Sequence, residues 1–132
     1  MIKPGSSEGL YRPEAIAETY RELLARARRL LEPVVLDASW TEERHRASAI
    51  AVARDTSSEL VELECRAPTE VMAERLRRAH AATDASDATP GVAAAMAAAA
   101  HPWSSTHVIK TTTSLDVTLT RAERVVRDQL SA

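Results

Sequence analysis

The sequence predicts an α/β domain, a three-layer parallel sheet with helices on both faces, and three observations point there. Val34 to Asp37 is a short, wholly apolar run that ends in an acid. That is the pattern of a strand buried on both sides which presents a carboxylate at the carboxyl edge of a parallel sheet, where ligands bind. Two further β-favouring runs, Leu60 to Arg66 and Thr106 to Thr113, follow it, and the intervals between the runs carry helical periodicity. Alternating strands and helices imply right-handed crossovers and parallel pairing. Three strands make a small sheet for this architecture.

The elements follow in order. Met1 to Arg12 contains Pro4, Gly5, Ser6, Ser7 and Gly9 and reads as an irregular lead-in. A helix starts at Pro13, with Pro in its first turn and Ile16, Tyr20, Leu23, Ala27, Leu30 and Leu31 on one face, and ends by Glu32 because Pro33 cannot continue it. After the Val34 to Asp37 strand, Thr41 is the expected N-cap of a second helix that runs to about Asp55, with Ser57 and Ser58 breaking it. Leu60 to Arg66 is the second strand. Pro68 to about Ala82 is a third helix, opened by Pro and Thr with an acid in its first turn. Thr83 to Thr89 is a polar connector, and Pro90 to Ala100 an alanine-rich helix stopped by Pro102. β-Branched residues then make Thr106 to Thr113 the third strand. Leu115, Leu119, Ala122, Val126 and Leu130 form the stripe of a closing helix.

With 132 residues, 45% of them hydrophobic and 27% charged, the chain has the length and composition of one globular domain. A net charge of −2 gives no electrostatic reason to expect nucleic acid or an acidic membrane as partner. Fifteen of the 17 basic residues are arginine, which reflects coding bias more than chemistry. Cys65, the single cysteine, sits in an apolar run and is expected to be a buried thiol. No window approaches the apolar length of a membrane span, and the opening residues have no signal-like core, so a cytoplasmic protein is expected.

Four stretches resemble one family. EGLYRPEAIAETYRELLARARRLL (Glu8 to Leu31), VVLDASWTEERHR (Val34 to Arg46), LVELECRAPTEVMAERLRRA (Leu60 to Ala79) and SDATPGVAAAMAAAAHPW (Ser86 to Trp103) are similar, in order and nearly in spacing, to P-loop kinase-like ATPases of the gluconate-kinase and zeta-toxin type. Such kinases are often fused behind an aminoglycoside-phosphotransferase-like domain. The resemblance implies ATP and Mg2+ as cofactors. It also implies a strand and a Gly-rich loop ending in Lys-Ser/Thr ahead of the matched stretches, the loop cradling the phosphates and holding the metal. Nothing in the sequence substitutes for that loop, since Lys3 and Lys110 are the only lysines and neither follows a glycine-rich turn. The chain is therefore expected to be a truncated member without autonomous phosphoryl transfer. Two departures from the family accompany this: the first helix reaches the Asp37 strand through only Glu32 and Pro33, and Lys110 stands where the family tends to have an aspartate.

The resemblance also implies that the absent strand is the central one, between Val34–Asp37 and Leu60–Arg66. Its absence leaves a slot of unpaired backbone groups, each costing about 1–3 kcal/mol when buried. A homodimer, or another chain that supplies the strand and the phosphate loop, is the expected partner. The alternative is a non-catalytic interaction or oligomerisation module, and a third reading is an enzyme that holds phosphates by helix N-termini alone.

Carried over from the family, Asp37 is the metal-holding position, Arg75 and Arg78 are the phosphate-contacting arginines of a lid-like region spanning residues 68–100, and Thr111 and Thr112 lie where the nucleotide's adenine approaches. Each has a simpler reading: a strand-end acid, a solvated helix face, and strand propensity. Arg75 and Arg78 share a face by their spacing, while Arg77 is assigned to the surface. Asp84, Ser86 and Asp87 serve equally as substrate contacts or turn formers. His45, His80, His101 and His107 lack metal-ligand spacing, and Trp40 and Trp103 are assigned to packing. Ser39, Ser57 and Ser58 have no nucleophile context.

Overall fold

A computed structural model describes residues 12–83 and 100–131. In that range the order is α1 (Pro13–Arg29), α2 (Glu43–Asp55), β1 (Leu63–Arg66), α3 (Thr69–Thr83), β2 (His107–Lys110) and α4 (Leu115–Ser131). The lead-in through residue 11, the acidic connector with Asp84, Ser86 and Asp87, and the alanine-rich segment up to residue 99 lie outside the described residues.

β1 and β2 pair in parallel, with Leu63 opposite His107, Glu64 opposite Val108, Cys65 opposite Ile109 and Arg66 opposite Lys110. The ladder continues beyond both ends, through His107 N–H to Glu62 C=O at 2.9 Å and Thr111 N–H to Arg66 C=O at 2.9 Å. α4 packs along β2, where Gln129 meets His107 Nε2 at 2.9 Å, and Ile109 is buried beneath. Both strands are shorter than the β-favouring runs that contain them.

The sheet departs from expectation at Val34–Asp37. These residues have no regular secondary structure and pair with no described strand, so the described sheet has two strands rather than three. An apolar run acquires strand structure only when a neighbour satisfies its backbone groups, and among the described residues no strand pairs with this one. Val35 is 94% exposed as a result. Cys65 differs too: it is exposed rather than buried, because β1 forms one border of a two-stranded sheet.

α1 begins with Pro at its first turn beside Glu14, and carries Arg26, Arg28 and Arg29 in its last, each sign matching the local end of the helix dipole. It stops at Arg29, earlier than Pro33 required, as Leu30 turns extended. Tyr20 and Leu24 are its buried residues. α2 corrects the expected cap: Glu42, not Thr41, occupies the N-cap position, and no side chain of its own caps the helix. Instead His101, far along the chain, accepts the Glu43 N–H on Nδ1 at 3.0 Å. Thr56 and Ser58 close the other end, with Ser57 in the left-handed region at φ 55°.

Packing centres on Tyr20 and Arg46. The Tyr20 ring stacks on His45 at 4.1 Å and tilts against Trp40 at 4.8 Å, while its hydroxyl lies 3.1 Å from Ser39 Oγ and accepts the Trp40 N–H at 2.8 Å. Trp40 adopts φ 49°, a conformation that costs a bulky residue about 1–3 kcal/mol and persists only when its surroundings impose it. Arg46 supplies part of that imposition. It is 7% exposed and donates from Nε to Trp40 C=O at 2.6 Å, and from its terminal nitrogens to Thr41, His101 and Pro102 C=O at 3.2, 2.9 and 2.9 Å. Its guanidinium lies 4.5 Å from the Trp103 ring centre, which gives both tryptophans the packing role read from the sequence. One side chain thus fastens the 40–41 turn and the 101–103 segment to α2.

Two expectations follow for stability. Arg46→Ala removes the donor from four part-buried hydrogen bonds and is expected to lower the unfolding free energy by about 2–3 kcal/mol in urea titration. A loss within about 0.5 kcal/mol, the range of an ordinary surface change, contradicts the clasp. The second concerns pH. Burial pushes His45 below its ordinary value of 6.5, with Arg44 adding and Glu42 opposing. Its Nε2 makes no hydrogen bond, although Glu42 Oε2 lies 3.3 Å away. The unfolded chain therefore takes up a proton near 6.5 that the folded chain refuses. Stability is full above about pH 6.5 and declines as pH falls through and below it. His45→Phe, which keeps a ring against Tyr20, is expected to flatten that decline in thermal melts between pH 5 and 7.

Candidate functional site

A cleft of about 280 Å³ opens where the turn after Asp37, the end of β1 and the 100–103 segment meet. Ser39, Trp40 and Thr41 form one wall, Glu64 and Arg66 another, and His101 and Trp103 the third, with Arg46 at the junction. It lies at the carboxyl end of β1, the side of a parallel sheet on which α/β proteins bind ligands.

Arg66 is the last residue of β1, and its side chain is 58% exposed. Glu64, two residues earlier and so on the same face of the strand, hydrogen-bonds its Nε and keeps it firmly protonated. The Arg66 carbonyl accepts both the N–H and the hydroxyl of Thr111, at 2.9 and 3.2 Å. Thr111 in turn receives Arg75 from α3, whose guanidinium donates to its hydroxyl at 3.0 Å and to its carbonyl. Two of the residues assigned from the sequence, Arg75 and Thr111, therefore meet at the carboxyl edge of the sheet.

The others are placed elsewhere. Arg78 is bonded to Glu74 on its own helix at 3.2 Å, and Arg77 shares that carboxylate at 2.9 Å. The Arg77 hydrogen bond is the main reason the Glu74 carboxyl is held below its usual range. Three residues along a helix is a rise of about 4.5 Å, which separates Arg78 from the strand end that Arg75 reaches even though the two share a face. Asp37 and Thr112 are both exposed, and no described residue bonds either side chain. Among the described residues no group of three His, Cys, Asp or Glu side chains is arranged to hold a metal ion. Nor is any described helix long and apolar enough to cross a membrane.

Arg46 and His101 carried no signal in the sequence of the parts they play here, and nothing in it foretold the contact between Arg46 and Trp103. Arg46 and Trp103 are 57 positions apart, and neither helical nor strand periodicity links them. His101 precedes a proline in a segment without regular structure, so its capping of α2 depends on tertiary placement alone. Arg66 had a weak signal, as a charge at the end of a predicted strand.

The family model described as AAA domain matches residues 3–103. Among curated proteins, the chain is 41% identical over 106 residues to the uncharacterized protein Mb2027c of Mycobacterium bovis and, to the same extent, to the uncharacterized protein Rv2004c of Mycobacterium tuberculosis. In each case the match covers 78% of this chain and 21% of the relative, so the chain spans about a fifth of the length of the curated proteins it matches. No solved structure matches it at a significant level. With most of its length matched, and with a parallel sheet whose carboxyl edge gathers arginine and threonine side chains, the chain belongs to the AAA domain family of P-loop NTPase-like proteins.

Proposed function

We propose that this chain contributes the ligand edge of an ATP-dependent small-molecule kinase, and that it transfers a phosphoryl group only when a strand and phosphate loop from another segment or chain complete it. The observation that carries this reading is the convergence of Arg75 and Thr111 beside Arg66 at the carboxyl end of the parallel pair. Arg75 reaches the sheet edge from a separate helix, as a residue must to meet a phosphate lying there. Phosphoryl transfer depends on positioning and charge stabilisation, and these 132 residues contain no glycine-rich lysine loop to supply either.

ATP and Mg2+ are the cofactors this reading requires. An Mg2+ ion brought by a nucleotide typically takes one or two protein carboxylates along with phosphate oxygens. Asp37, exposed and bonded to no described residue, suits that demand as a single carboxylate. The bound metal would neutralise charge on the phosphates, while this chain's part is to hold the ion at Asp37 and to direct Arg75 at the sheet edge. Arg78 and Thr112 join the site under this reading only if α3 and the strand end shift on closure. A protein that uses ATP in this way belongs in the cytoplasm.

The partner follows from the open sheet. Val34 and Val35 are exposed in a run that pairs with no described strand, and Leu30 and Leu31 beside them are exposed too. A strand inserted next to them would satisfy backbone groups and cover apolar surface together. A second copy of this chain offers a different solution, and with it a different function: an interaction module that uses no nucleotide. The exposure of Leu115, Leu119 and Leu130 along α4 favours that second reading.

Calorimetry with MgATP separates the two. The 132-residue chain alone is expected to show no binding tighter than about millimolar, a free energy of only about −4 kcal/mol. Joined to a strand and a G-x-x-x-x-G-K-S/T loop, it is expected to bind MgATP and transfer phosphate, with Arg75→Ala lowering kcat by about a hundredfold. Tight MgATP binding by the unjoined chain contradicts the requirement for the loop. Failure of the joined chain to bind, together with a dimer by light scattering, establishes the module instead.

A further inference from the structure

Among the described residues no carboxylate pairs with Arg46. Its guanidinium is enclosed, and its partners are four neutral carbonyls and the face of the Trp103 ring. A positive charge out of water is costly unless an anion or strong dipoles answer it, and carbonyl dipoles answer only part. Its field extends into the spaces it lines. Two such spaces are a pocket of about 140 Å³ that carries Glu43 and Glu62, and the 280 Å³ cleft at the end of β1. The two carboxylates make the smaller pocket hostile to an anion. Among the described residues that line the larger one the only carboxylate is Glu64, and it is already bonded to Arg66.

We infer that this cleft binds a phosphate-class anion, with Arg66 as the direct contact and Arg46 as the fixed source of field. Arg66 is exposed and stands on one exchangeable carboxylate, so a phosphate oxygen can displace or share Glu64 and bond the guanidinium in its place. Ser39 and Thr41 on the facing wall bring hydroxyls suited to the remaining oxygens. The volume is small for a whole nucleotide and suits a single phosphate group. This inference deepens the reading of the carboxyl edge as the ligand edge, and it stands apart from phosphoryl transfer itself. It also assigns Arg66, rather than the lid arginines, to the first encounter with phosphate.

The two tryptophans of the chain, Trp40 and Trp103, both line the cleft, so intrinsic fluorescence reports on its occupancy. The intact 132-residue chain is titrated with inorganic phosphate at constant ionic strength, held by sodium chloride. A saturable change is expected in the native protein. Arg66→Gln is expected to weaken it about tenfold, and Glu64→Gln to strengthen it about threefold by freeing Arg66 and removing a repulsive charge. Arg77→Gln, on α3 and paired with Glu74, is the control and should match the native curve. A merely structural Glu64–Arg66 pair would not give opposite effects for its two halves. Absence of saturation in the native protein, or the same curve for Arg66→Gln, overturns the inference. Phosphate binding by the chain alone, with no transfer after the loop is supplied, leaves this site intact and sinks the kinase reading; the reverse pair of results does the opposite.

Discussion

A single buried guanidinium holds together the segments that wall the cleft at the end of β1. Arg46 leaves α2 and gathers carbonyls from residues 40 and 41 on one side and 101 and 102 on the other, segments that nothing in the local sequence would bring together. Tyr20 completes the arrangement from α1 by bonding the Trp40 N–H and packing its ring between Trp40 and His45. The backbone of Trp40 is thereby held at both its N–H and its C=O, which explains how an aromatic residue stays in the left-handed region. The strained turn follows directly on Asp37. The clasp thus sets where the chain goes after the position that the family resemblance assigns to metal.

The second constraint is a small sheet, of two strands among the described residues. Two short parallel strands, one helix along β2 and a pair of helices joined through aromatic and cationic contacts leave few deeply buried apolar residues among those described: Tyr20, Leu24 and Ile109. Polar bonding compensates at specific places. His101 caps a helix that has no cap of its own, and Thr111 extends the ladder past β2 while anchoring Arg75. These devices gather arginine and threonine side chains at the carboxyl edge, while Val34 and Val35 stay exposed.

Much of this was legible from residues alone, wherever a periodic pattern or a backbone rule carried the information. Pro13 and the face of Ile16, Tyr20 and Leu23 located α1, the β-branched run around Ile109 located β2, and the stripe from Leu115 located α4. Failures occurred where an outcome depended on distant partners. Val34 to Asp37 has strand composition, but a strand exists only beside another strand. Thr41 is a good capping residue by type, yet the cap came from His101, 60 positions beyond it. Cys65 sits in an apolar run that would be buried in a wider sheet and is exposed in this one. At the site, helical spacing grouped Arg75 with Arg78, whereas rise along the helix separated them. Arg46 escaped notice because an arginine in a helix is ordinarily a surface charge, and only its burial against Trp103 distinguishes it.

Side-chain NMR of the arginines tests the central role of Arg46 most directly. In 15N-labelled protein near neutral pH, the Arg46 Nε–H and its terminal N–H groups should appear as separate resonances that exchange slowly with water. Those of exposed arginines such as Arg21 and Arg26 should be averaged and fast. Slow, resolved Arg46 signals with nuclear Overhauser contacts to the Trp103 ring are the predicted result. A single averaged, rapidly exchanging Arg46 signal would contradict it, since a guanidinium bonded to four carbonyls cannot rotate or meet water freely.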